Sequence, residues 1–168
     1  VALGHEALRL NTGSNSVAIG FQAADSTTTG VTAVGYHALG ANTTGPANAA
    51  FGSSALASNT VGQSNTAVGT SALGNNTTAH YNTAVGNNCL TANTTGTQNT
   101  AVGHDALNDN TQGDYNVAMG SNALSKITTA SNCTAVGSAA LAFNTAGNNT
   151  AFGRSALNVN TSGTSNVA

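Results

Sequence analysis

The chain has 168 residues, only 5% of them charged, with a formal net charge of −2 and three cations, Arg9, Lys126 and Arg154, far apart in sequence. This leaves no basic footprint for nucleic acid and no apolar run of about 18 residues to span a membrane. It also lacks the high net charge that keeps low-complexity chains disordered.

The first element, Val1-Ala2-Leu3-Gly4, sets the theme. Its glycine returns at Gly20, Gly35, Gly52, Gly69, Gly86, Gly103, Gly120, Gly137 and Gly153, most often after 17 residues. A fixed short period marks a solenoid or array. The unit reads N-T-A-V-G-x-x-A-L-x-x-N-T-T-G-x-x. Asn65-Thr66-Ala67-Val68 has the β-branched residues of a short strand. Its second and fourth positions share one face, and its third, Ala in every copy, points to the other. Glycine then turns the chain. Ala72-Leu73 supplies a further apolar point and a second strand segment, and Asn93-Thr94-Thr95-Gly96 is turn chemistry. A helix is excluded by the missing i, i+3, i+4, i+7 pattern, by glycine within every unit, and by the poor helix formers Asn and Thr.

These units predict an all-β chain: one segment, residues 1–168, folded as a parallel β-solenoid (a β-roll) of about ten 17-residue repeats. In-register stacking would align Asn42, Asn59, Asn76, Asn93 and Asn110 in one column and Thr43, Thr60, Thr77, Thr94 and Thr111 in the next. Asn ladders are at home in stacked β structure. One Val-type and one Leu-type side chain per rung is a thin core, worth about 1.5–3 kcal/mol per large side chain against roughly 1–2 kcal/mol to order each residue. The expectation is therefore self-association, as a homotrimer, with Ala67, Ala84, Ala101, Ala118 and Ala135 at the chain–chain interface. Both ends fall inside a repeat, so the chain is expected to be part of a longer fibrous protein.

Candidate sites are sparse. The five carboxylates are Glu6, Asp25, Asp105, Asp109 and Asp114. His104-Asp105 with Asp109 and Asp114 could be a catalytic or metal cluster or a solvated acidic rung; the latter is preferred, because metal sites need several ligands converging at fixed spacing. No catalytic, metal or cofactor site is expected, and no enzyme activity. Cys89 and Cys133 lie in different columns and over two rungs apart, beyond disulfide reach. Phe21 and Tyr36 share one column, Tyr81 and Tyr115 another. Exposed rings on a polar stack could contact a glycan; local ladder packing is the plainer reading.

Asn15-Ser16-Val17-Ala18-Ile19-Gly20 resembles the N-S-V-A-I-G signature of YadA-like trimeric autotransporter adhesin heads, a left-handed parallel β-roll whose repeats are about three residues shorter than this unit. The tandem N-T-A-V-G-x-x-A-L with N-T-T-G looks still more like repeats of phage tail-fibre proteins, and the resemblance covers all ten repeats. It implies a homotrimeric stalk or head, extracellular, on a cell surface or on a virion, used in attachment to a host-surface glycan or protein. The alternatives are a single-chain surface-binding solenoid of the ice-binding type, with the Thr43 to Thr161 column as its warrant, and a polysaccharide-binding or depolymerising tail spike, which would need Asp105 or Asp109.

Overall fold

The computed structural model describes residues 1–168. Ten short strands form one parallel sheet in strict sequence order: β1 (Ala2–Leu3), β2 (Val17–Ile19), β3 (Thr32–Val34), β4 (Ala49–Phe51), β5 (Thr66–Val68), β6 (Thr83–Val85), β7 (Thr100–Val102), β8 (Val117–Met119), β9 (Thr134–Val136) and β10 (Thr150–Phe152). Register is uniform, alanine over alanine: Ala67 pairs with Ala84, and Ala84 with Ala101. The chain is therefore an all-β solenoid of about nine turns with one repeat per rung and no helix.

Each rung holds one strand, not two. The Ala-Leu segment, expected as a second strand, is a turn in which alternate residues adopt left-handed backbone: Ser71 has φ 57° and Leu73 φ 51°, and the equivalents recur in neighbouring rungs, as at Asn88 and Leu90. Left-handed backbone costs a non-glycine residue about 1–2 kcal/mol. Leucine is tolerated there because Leu73, Leu90 and Leu107 are fully buried, which returns about as much. These turns stack as tightly as the strands. Of 105 backbone hydrogen bonds, 88 lie outside the strand ladders; some close turns within a rung, as from Asn76 to Leu73, and the others join successive rungs around most of the circumference. Leu73 donates to the carbonyl of Cys89, and Leu90 to that of Ala106, both at 3.0 Å.

The core lies within the single chain. Its 28 buried residues are chiefly the strand alanine and the Ala-Leu pair of each rung. Two columns of fully buried asparagine close the remaining space. In the first, each side-chain amide donates to the oxygen of the rung before: Asn76 to Asn59 at 2.8 Å, Asn93 to Asn76 at 3.0 Å and Asn110 to Asn93 at 3.0 Å. The same amide also reaches its own turn, as from Asn93 to the Gly96 carbonyl at 2.9 Å. The second column was not foreseen as a ladder. It precedes the strand, and its side-chain oxygens accept backbone N–H groups from the next rung: Asn82 to Asn65, and Asn99 to Asn82, both at 2.9 Å. No buried side-chain polar atom lacks a partner, as a polar core requires.

In two rungs both columns change, while the rung of Asn11 carries Ser16 in the second column alone. The rung with Ile127 in the first column has Cys133 in the second, and the rung with Thr27 has Val31. All four of these replacements are buried. Below Ile127 the broken ladder is capped locally, since Gly113 N–H donates to Asn110 Oδ1 at 3.1 Å. At Ile127 and Cys133 the loss is paired because a half-satisfied polar layer is worse than an apolar one, whereas Thr27 still accepts from the Asn42 amide at 3.0 Å.

The glycine after each strand answers two demands. Gly103 has φ 135°, and a Cβ there would sit 2.6 Å from the Gly120 carbonyl oxygen of the next rung. Gly153 has φ 120° but nothing within 4 Å. In urea titrations, Gly103→Ala is expected to cost at least ~3 kcal/mol and Gly153→Ala about 1–2 kcal/mol, the backbone strain alone; equal losses would contradict the close-stacking account. Asn93→Ile is expected to cost about 3 kcal/mol by orphaning buried partners. Asn93→Ile with Asn99→Cys should cost clearly less than the sum of the two single changes, a coupling that a double-mutant cycle measures.

Candidate functional site

Alternation along the strand places Ala67 inward and Thr66 and Val68 outward. The alanines expected at a chain–chain interface, Ala67, Ala84, Ala101, Ala118 and Ala135, are each 0% exposed within one chain. That expectation is corrected: these side chains pack inside their own rung and offer no surface to a partner. Sequence periodicity identified which positions share a face but not which face turns inward.

The outward face is the one left open. One column of it runs Leu3, Ile19, Val34, Phe51, Val68, Val85, Val102, Met119, Val136, Phe152, apolar at every rung. Val68 is 37% exposed, Met119 42% and Phe152 60%. The parallel column holds mostly threonine: Thr32, Thr66, Thr83, Thr100, Thr134 and Thr150. At a rung spacing of about 4.8 Å the stripe, nine steps from the first strand to the last, is about 43 Å long. Scattered surface hydrophobics need no explanation, but a contiguous apolar stripe marks an interaction surface.

The other threonine column lies elsewhere on the rung and is differently engaged. Thr43, Thr60, Thr94 and Thr111 each donate a hydroxyl to the carbonyl of the next threonine in the column, at 3.0 to 3.1 Å. Their protons are committed to the stack, which weakens the warrant for an ice-binding face there.

The aromatic candidates separate into two groups. His5, Phe21 and Tyr36 occupy one column and stack with centroids 5.3 and 5.5 Å apart and ring planes 8° and 11° from parallel. His37 leans on Tyr36 at 4.8 Å. Tyr81 and Tyr115 are exposed on another column and not brought into that group; the Tyr81 hydroxyl accepts from Gln63 Nε2 at 3.1 Å. Ladder packing thus describes Phe21 and Tyr36, yet both remain exposed, at 40% and 55%.

Each carboxylate has a neighbour in its own or an adjacent rung. Arg9 holds Asp25 through two bonds of 3.0 Å, and this carboxylate raises the guanidinium pKa further above its ordinary value. Glu6 accepts from Gln22. Asp105 lies 3.1 Å from His104 Nδ1, Asp109 2.9 Å from Lys126, and Asp114 accepts from the backbone and hydroxyl of Thr97. No three His, Cys, Asp or Glu side chains converge as a metal-binding group. A shallow groove of about 340 Å³ beside β3 and β4, lined by Asn15, Gly30, Val31, Thr32, Ala47, Asn48 and Ala49, carries no titratable side chain.

A scan against protein-family models finds no match. Comparison with curated proteins and with solved structures likewise gives no significant match. No helix is long and apolar enough to cross a membrane.

Cys89 and Cys133 are free and buried. Burial pushes the Cys89 thiol up to about 12 and raises that of Cys133. The thiolate is the reactive form. A disulfide reagent at pH 8 is expected to label neither cysteine in the folded chain and both after denaturation; fast labelling of the native protein would contradict the packing of these rungs.

Proposed function

We propose that this chain is a structural and adhesive segment, a stalk or head, of an extracellular or virion-borne fibre, assembled as a homotrimer through its outward strand face. The observation that carries this reading is the apolar stripe repeated at every rung from Ile19 to Phe152. Such a stripe has a periodicity of its own. A partner fills every rung only if its side chains recur at the same spacing, and a second copy of this chain in parallel register does so. The outward strip is narrow, with two outward residues per strand, which suits three strips converging on one axis. The likeness of the tandem repeats to trimeric adhesin heads and phage tail fibres supports the same reading. In such a fibre, stiffness and reach are the function. Hydrogen bonding around each rung, low charge and small residues serve both.

Solution mass by light scattering tests the assembly. Three times the chain mass is expected for the parent protein. Val68→Lys with Val102→Lys should give folded monomers, because charges placed on an apolar interface are not desolvated without cost. Ala84→Leu should instead destabilise the solenoid itself by overpacking, about 1–3 kcal/mol or more. A parent protein that runs as a monomer, or lysine variants that remain trimeric, would refute this interface.

A further inference from the structure

The ring stack of His5, Phe21 and Tyr36 ends abruptly. The next residues of that column are Ser53 and Thr70, both exposed. Phe21 has a ring on each side, whereas Tyr36 has Phe21 on one face and only Ser53 in the rung beyond the other. The stack therefore stops at an open aromatic face beside a step lined with hydroxyl groups. His37 tilts against both rings, 4.8 Å from Tyr36 and 6.2 Å from Phe21.

We infer that this step is a binding site for a neutral hexopyranose, seated on the open face of Tyr36 as the next ring of the column. The geometry selects the chemistry. A pyranose has an apolar C–H face that stacks on an aromatic ring and a rim of hydroxyls for Ser53 and Thr70. Aromatic side chains that combine an apolar body with a polar tip suit such half-wet contacts. The column repeats at about 4.8 Å, close to the spacing at which the rings already stack. Charge argues for a neutral sugar, since the charged groups of the neighbouring rungs are engaged with one another: Arg9 with Asp25 at 3.0 Å and with Glu6 at 3.9 Å. No free guanidinium or ammonium waits there for a sugar carboxylate.

The inference rests on the adhesive reading only for where the sugar would be met, on a glycan-bearing surface. A homotrimer would present three such steps, so weak single contacts would add as avidity. The site itself lies in one chain.

The test is saturation-transfer NMR with methyl β-D-galactopyranoside, methyl β-D-glucopyranoside and methyl α-D-mannopyranoside, followed by amide-shift titration. At least one probe should bind with a Kd of roughly 1 mM, which a ligand of this size reaches at ordinary efficiency, and should move the Tyr36, Ser53 and Thr70 amides. Tyr36→Ala should weaken binding at least ~5-fold, Tyr36→Trp should retain it, and Tyr81→Ala should leave it unchanged. Solution mass and circular dichroism of each variant should match the parent, because Tyr36 is 55% exposed; loss of its stack on Phe21 should lower the unfolding temperature only slightly. Failure of all three probes to bind, or a Tyr36→Ala protein that binds equally well, overturns the site. Either result leaves the trimer to be judged by its mass alone.

Discussion

The backbone hydrogen bond from one rung to the next is the interaction on which this molecule depends. Because every strand pairs in the same register, each side chain lies over its counterpart one repeat away. A residue type is then selected for how it packs against itself. Asparagine satisfies that condition with an amide that both donates and accepts along the stack, and glycine satisfies it where two backbones come too close for a Cβ. Alanine satisfies it where the interior has no room for more.

This explains how a chain with so few large apolar residues holds a core. The interior is a narrow tube filled by Ala, Ala and Leu from each rung and closed by two asparagine ladders. Polar ladders provide alignment as well as cohesion, since an asparagine out of register leaves partners unsatisfied on both sides. The joint replacement at Ile127 and Cys133 follows the same logic. Once one ladder is broken in a rung, its neighbour in that rung loses much of the reason to remain polar.

The exterior divides into surfaces of different character. The turn carrying Thr43, Thr60 and Thr94 is occupied with its own hydrogen bonds. The strand face is apolar in one column at every rung and mostly threonine in the other. The continuous ring stack is confined to the first three rungs. A solenoid built by repetition offers specificity only where repetition is broken, and the end of the ring stack at Tyr36 is such a break.

The sequence by itself determined the period, the parallel in-register stack, the turn at Asn-Thr-Thr-Gly and the first asparagine ladder. Each of these follows from local residue chemistry repeated at a fixed interval. It also indicated that Thr66 and Val68 share a face opposite Ala67, because strand side chains alternate. Which face is inside was decided only by the tertiary structure. The left-handed residues Ser71 and Leu73 bend the chain so that Ala72 and Leu73 fill the interior, leaving the strand room for no more than a methyl group. Valine, the larger and more apolar residue, is thereby turned outward. Hydrophobicity alone predicts the opposite, and only the closed path of the rung reverses it.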